Sequence, residues 1–171
     1  MSIGAIAATL GMSKSAVFAH FGSKAALESA LLAAAAARAT STVLDAATLA
    51  PPGVARLAAL SEAWLAHPAD GPLTLLLAAE DGIGADGRAA RQAWRRTWRR
   101  AIEAQCTAAV SAGELPPTVD VAQAAFELDA VLRAGRRDDD LGDTPAAARA
   151  RLAVEALIRR WSQASPPPPP S

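Results

Sequence analysis

The chain has 171 residues, 51% of them hydrophobic and only 4% aromatic, with no tyrosine. Alanine dominates the apolar set while the β-branched and aromatic residues that favour strands are scarce, which excludes a sheet-rich protein. Lys and Arg number 17, Asp and Glu also 17, for a formal net charge of +0, so any nucleic-acid role must rest on a local patch.

A length of this order holds one substantial core, or a small head fused to a larger body. The one cysteine, Cys106, rules out an intrachain disulfide and fits a reducing compartment. The N-terminus lacks the basic start and long apolar run of a signal peptide. The apolar stretch 25–37 is mostly alanine and carries Glu28, which is unlike a membrane span. The expectation is a soluble cytoplasmic protein with no membrane partner.

In chain order, Ile3, Ile6, Ala7 and Leu10 fall on one helical face over residues 3–10, with Gly11 as a left-handed stop. Ser13 then caps a second short helix with Val17, Phe18 and Phe21 as its apolar positions. Gly22 breaks it, and Ser23 caps a third helix whose buried side is marked by Leu27, Leu31, Val43 and Leu44. Pro51, Pro52 and Gly53 punctuate the chain. A helix over 54–67 follows, with Leu57, Leu60, Trp64 and Leu65 on its apolar side, and Pro68 and the Gly71-Pro72 pair end it. Residues 73–79 read as a short apolar helix closed by the turn at 81–84, and residues 86–112 as the longest helix, stopped by Gly113 and Pro116-Pro117.

Residues 119–136 form the next helix, carrying Phe126, Leu128, Val131 and Leu132, and a charged loop covers 137–142. Thr144 caps the last helix with Pro145 at its first position, where a missing N–H costs nothing. That helix sets Val154, Leu157, Ile158 and Trp161 at i, i+3, i+4, i+7. The polyproline run 166–170 cannot join a packed core, so 164–171 reads as a disordered tail. The fold class is all-α.

Residues 3–24 carry the most information. A supporting helix meets a second helix through a tight turn at Gly11, and Ala7 permits their close approach. The second helix presents Lys14, Ser15, Ala16 and Ala19, small or polar groups able to enter a major groove. Ser13 and Ser23 sit at helix N-termini, where hydroxyls, free N–H groups and the helix dipole favour phosphate. His20 and Lys24 add donors beside the same backbone. The bland alternative is a helical hairpin with a Ser-capped turn, in which Phe18 and Phe21 are core and Lys24 is simply exposed.

The combination Gly11, Ser13, Phe18, His20, Phe21, Ser23, Lys24 and Leu27 resembles the TetR family of transcriptional regulators. The resemblance implies a helix-turn-helix reader over 1–46 and a multi-helix ligand-binding and dimerisation domain over 47–163. The Arg- and Trp-bearing helix 86–112 and the Phe126–Leu128 triplet resemble one subgroup of such bodies, less specifically than the head. Relatives usually have tyrosine where this chain has Phe18, which removes one hydroxyl contact to phosphate, worth about 1 kcal/mol. The family also has a complete helix before the supporting one, whereas this sequence starts directly at Ser2-Ile3, so the expectation is a reader incomplete at its N-terminus.

The resemblance also implies a small-molecule pocket in the body and pairing of the two C-terminal helices with a second subunit. Trp64, Leu75, Leu76, Trp94 and Trp98 would supply an apolar lining, and His67, Glu80, Gln105 and Cys106 polar handles. Core packing of the same residues is the alternative, as Trp94 and Trp98 are i, i+4 neighbours. A monomer whose apolar stripes all face inward is the alternative to the homodimer. The arginines Arg88, Arg91, Arg95, Arg96, Arg99 and Arg100 interleave with tryptophans. They read as a solvated face partly paired with Glu80, Asp81, Asp86 and Glu103, an anionic ligand on an inner arginine being the second possibility.

Catalysis finds little support in the inventory. His20 and His67 lie in separate parts of the chain, Cys106 stands alone, and no metal-ligand spacing, phosphate-binding glycine loop or nucleophile elbow is present. The expectation is therefore no enzyme, no cofactor and no metal. The partners expected are double-stranded operator DNA with palindromic half-sites, an unidentified small-molecule effector and a second copy of the chain. Repression is the usual outcome that the resemblance implies. A helical small-molecule-binding or dimerisation protein that has lost DNA binding is the alternative.

Overall fold

A computed structural model describes residues 13–68, 71–77, 84–136 and 146–163, all of whose regular structure is helical. The expected helix over 3–10, the turn at Gly11, the loop 137–142, the Thr144–Pro145 start and the tail 164–171 lie outside the described residues.

Helix α1 spans Lys14–Phe21, and Ser13 caps it by accepting from the Ala16 N–H at 3.1 Å. Gly22 turns the chain with φ of +73°, a conformation that side chains with a Cβ rarely adopt. Ser23 is extended and accepts from the Ala26 N–H at 3.1 Å, opening α2 over Lys24–Ala39. This helix runs on through a π-helical turn at Thr40–Asp45. The Thr40 and Thr42 hydroxyls donate to the Ala36 and Arg38 carbonyls at 2.9 and 2.8 Å, competing with the backbone ladder where it widens. α2 buries Leu27, Leu32, Ala35 and Ala39, followed by Val43. Leu31, expected on that side, is only half-buried, and Leu32 takes the inward position. A helix so rich in alanine leaves its periodicity open by one residue.

Helix α3 (Val54–Leu65) and the short α4 (Pro72–Leu77) lead into α5 (Ala85–Ser111), which is followed by α6 (Val121–Ala134) and α7 (Ala146–Ser162). The N-terminus of α3 is closed from afar: Gly53 N–H reaches Gln105 Oε1 at 3.3 Å and Val54 N–H reaches Glu114 Oε2 at 2.7 Å. Its C-terminus is held by Arg136, whose guanidinium donates to the Trp64, His67 and Pro68 carbonyls at 3.1, 2.6 and 3.0 Å. Of these, the Trp64 and Pro68 carbonyls also accept the His67 and Gly71 N–H groups at 3.4 and 3.0 Å, so Arg136 ties the end of α3 to the turn that follows it. α5 buries one stripe, Gly87, Arg91, Trp94, Trp98, Ile102, Cys106 and Ala109, and packs against α2, α3 and α6. Asp120 caps α6, which lies against α5 and α7.

The core is a single cluster joining every helix from α2 to α7. It admits a close approach at Gly135: a Cβ there would stand 2.4 Å from Ala150 Cβ and 2.7 Å from Leu65 Cδ2. Glycine therefore lets the end of α6 meet α7 and α3. None of the described side chains of α1 joins this cluster, and α1 packs on α2.

Candidate nucleic-acid interface and ligand core

The head's expected DNA-facing residues fall on α1 and the first turn of α2. Ser13, Ser15, Ala19, His20, Ser23 and Lys24 are exposed and Ala16 is half-buried. Lys14 and Phe18 lie on the α1 backbone, but their side chains are outside the described part. The first turns of α1 and α2 contain no acid, so the positive helix ends meet no local competitor there for a phosphate. Each capping hydroxyl accepts a backbone N–H, and a serine keeps its own O–H to donate. Ser13 and Ser15 share one further hydrogen bond at 3.1 Å. Lys24, itself exposed, is 3.5 Å from the half-buried Glu28, an i, i+4 surface pair worth about 0–1 kcal/mol and therefore readily exchanged for a phosphate contact. The His20 ring lies edge-on to Phe21 at 4.7 Å.

The body's expected pocket residues gather around three stacked indoles. Trp64 lies 4.3 Å from Trp98 and 5.7 Å from Trp94, and Trp94 lies 6.3 Å from Trp98, all between rings tilted by no more than 23°. All three are buried within the core. Two of their N–H groups are engaged, Trp64 with the Leu132 carbonyl and Trp98 with Asp129 Oδ1, both at 2.9 Å. Trp94 Nε1 and His67 Nε2 are buried with no hydrogen-bond partner among the described residues. Buried polar atoms of this kind are few in a folded protein. Burial holds the His67 pKa below 6.5, helped by the charges of Arg136 and Arg38.

Leu76 is buried and its carbonyl accepts from Arg91 Nε at 3.0 Å, which brings one arginine of α5 inside. Gln105 is half-buried and engaged with the Gly53 N–H. Cys106 is fully buried, its thiol pushed up to about 11 by desolvation and by Glu103. Glu80 lies outside the described residues, as does the side chain of Leu75.

Two polar centres escaped the sequence reading. Asp129, with its side chain 8% exposed, accepts from Trp98 Nε1 and from Arg133 Nε at 2.9 Å, and Arg99 approaches it at 4.0 Å. Glu62 and Arg151 form a two-bond fork at 2.8 Å between α3 and α7, which lowers the Glu62 pKa. Only the i, i+4 spacing of Asp129 and Arg133 was visible in the sequence. Among the described residues Arg99 therefore turns to α6 rather than to Glu103 on its own helix. Phe126, expected among the apolar positions of its helix, is 54% exposed and carries the Arg99 guanidinium 5.9 Å above its ring. Leu152 on α7 is 66% exposed.

Among the described residues no three His, Cys, Asp or Glu side chains are grouped to hold a metal. No helix there is long and apolar enough to cross a membrane.

Residues 53–154 match the family described as tetracyclin repressor-like, C-terminal domain, and residues 1–31 match the bacterial regulatory proteins of the tetR family. The fold is similar to that of AibR, solved in complex with isovaleryl coenzyme A and operator DNA, at 20% identity and a TM-score of 0.75 over 92% of this chain and 87% of that one. It is also similar to PfmR, a TetR family transcriptional regulator from Thermus thermophilus, at 23% identity and a TM-score of 0.67 over 93% and 88% of the two chains. A protein of unknown function from a Rhodococcus species matches at 24% identity and a TM-score of 0.62, over 95% and 86%. No curated protein matches the sequence.

Proposed function

The chain belongs to the tetR family of bacterial regulatory proteins, and from that premise we propose that it is a ligand-responsive repressor that binds a palindromic operator as a homodimer. The observation that carries the reading is the reader match over residues 1–31, combined with the acid-free helix starts at Ser13 and Ser23. In this reading α1 enters the major groove. Lys14, Ser15, Ala16 and Ala19 face base edges, while Ser13, His20, Ser23 and Lys24 hold phosphates. Residues 1–46 act as the reader and 47–163 as the sensing and dimerising body.

The effector site is the surroundings of Trp64, His67, Leu75, Leu76, Glu80, Trp94, Trp98 and Gln105. The unmatched Trp94 Nε1 and His67 Nε2 support it, since a ligand with one acceptor and one donor satisfies both. AibR, solved with both a ligand and operator DNA, supports the pairing of the two activities on one such fold. The dimer face is the outer side of α6 and α7, where Phe126 and Leu152 are exposed beside Ala122, Ala130 and Ala156. Effector binding favours a body arrangement in which the two heads no longer fit both half-sites. By linkage, operator then weakens effector binding by the same factor.

Lys24→Ala tests the placement of the head. Its loss should weaken binding to many sequences alike and reduce the slope of log K against log salt by about one, whereas a change at Ser15 should alter sequence preference. Unchanged affinity and slope in the Lys24 variant would place the head off the DNA.

A further inference from the structure

Between α5 and α6 the surface holds a cleft of about 250 Å³ lined by Gln92, Arg95, Arg96, Arg99, Asp129 and Arg133. Its four guanidiniums face one carboxylate, and that carboxylate is already engaged. Asp129 Oδ1 accepts from both Trp98 Nε1 and Arg133 Nε at 2.9 Å, and Arg99 stands 4.0 Å from Oδ2. Arg95 and Arg96 make no hydrogen bond or ion pair among the described residues. Arg95 and Arg99 are i, i+4 neighbours, and Arg96 and Arg99 are i, i+3 neighbours, so like charges repel along one helix face. Glu103, one turn further on, does not line the cleft. Helical geometry thus concentrates positive charge that, among the described residues, only Asp129 offsets within the cleft.

We propose that this cleft binds the diphosphate portion of a phosphorylated small molecule. Arginine forks match phosphate oxygens in a bidentate way, and several converging on one cleft suit a group with more than one negative charge. Asp129, nearly buried and fixed by Trp98, holds Arg133 in position, so part of the donor set is ordered before the anion arrives. The cleft is slightly smaller than the ~300–1,000 Å³ that enclose a whole drug-sized ligand, so it takes the charged part and leaves the organic part outside. Because Asp129 also holds the Trp98 indole of the buried stack, occupancy bears on the body's core. The site does not depend on the operator reading, since a chain that selects no DNA can still bind the anion.

Calorimetric titration of the full chain with inorganic pyrophosphate, at matched ionic strength, tests the site. The expected result is saturable binding that Arg95→Gln/Arg96→Gln weakens about tenfold or more, consistent with the loss of charged hydrogen bonds. Both arginines are exposed, so this variant keeps its core, and Lys24→Ala should leave the titration unchanged. Absence of saturation, or equal binding by the double variant, overturns the proposal. It is equally overturned if pyrophosphate gives no signal while the double variant loses duplex DNA or dissociates into monomers. The arginines would then serve a DNA backbone or a partner's acids.

Discussion

His67 stands just beyond the end of α3 with Nε2 buried and without a hydrogen-bond partner among the described residues, and its pKa is lowered first by desolvation and then by Arg136 and Arg38. A histidine kept neutral in the folded state lets the unfolded chain take the proton first. Stability is therefore present above about pH 6.5 and falls as pH drops through that value towards the lower folded pKa. His67→Gln should flatten this fall, read as the urea midpoint between about pH 7.5 and 5.5; an unchanged slope would contradict the burial argument. Glu62 and Glu127 act lower, below 4.5. For Glu62 the Arg151 hydrogen bond lowers the pKa. For Glu127 burial opposes, but hydrogen bonds from Gln123, Trp161 and Arg160 prevail. At this scale the serine caps were legible, because a hydroxyl ahead of a periodic apolar run has a local meaning. Asp129 was not, because its Trp98 partner comes from another helix.

Most helix limits followed from punctuation. Residues 54–67, 86–112 and 119–136 were expected, against Val54–Leu65, Ala85–Ser111 and Val121–Ala134 in the fold. Proline and glycine mark such ends because they act on the backbone itself. The π-helical turn at Thr40–Asp45 had no such marker, since threonine back-bonding also occurs in regular helices. Phe126 is exposed while Leu128 is buried, because residues two apart on a helix look in nearly opposite directions. Where helices approach closely, small residues fix the geometry. Gly135→Ala would press a methyl against Ala150 Cβ, whose backbone must shift to admit it. The expected cost is about 1–3 kcal/mol in denaturant unfolding, and a neutral result would mean that α6 and α7 slide apart freely.

Among the described residues α1 packs on the long α2, and the outer side of α6 and α7 exposes two large apolar side chains, Phe126 and Leu152, among charged neighbours. Dimerisation on α6 and α7 predicts that Phe126→Asp/Leu152→Asp yields monomers in sedimentation, since both side chains are exposed and the core does not need them. A variant that remains dimeric would place the interface elsewhere. The family was legible from the head, where many positions agree with one motif over a short span. The proposed effector site rests on composition alone, because the tryptophans that line a cavity and those that fill a core have the same spacing, and in the fold all three are buried and stacked. The most direct test of the central claim is selection of bound duplexes from a random oligonucleotide pool by the full chain. Enrichment of a palindrome with half-sites one helical turn apart or a multiple of it, roughly 34–36 Å per turn, is the predicted result. A pool with no enriched sequence would contradict the regulator reading and leave a helical ligand-binding or dimerisation protein.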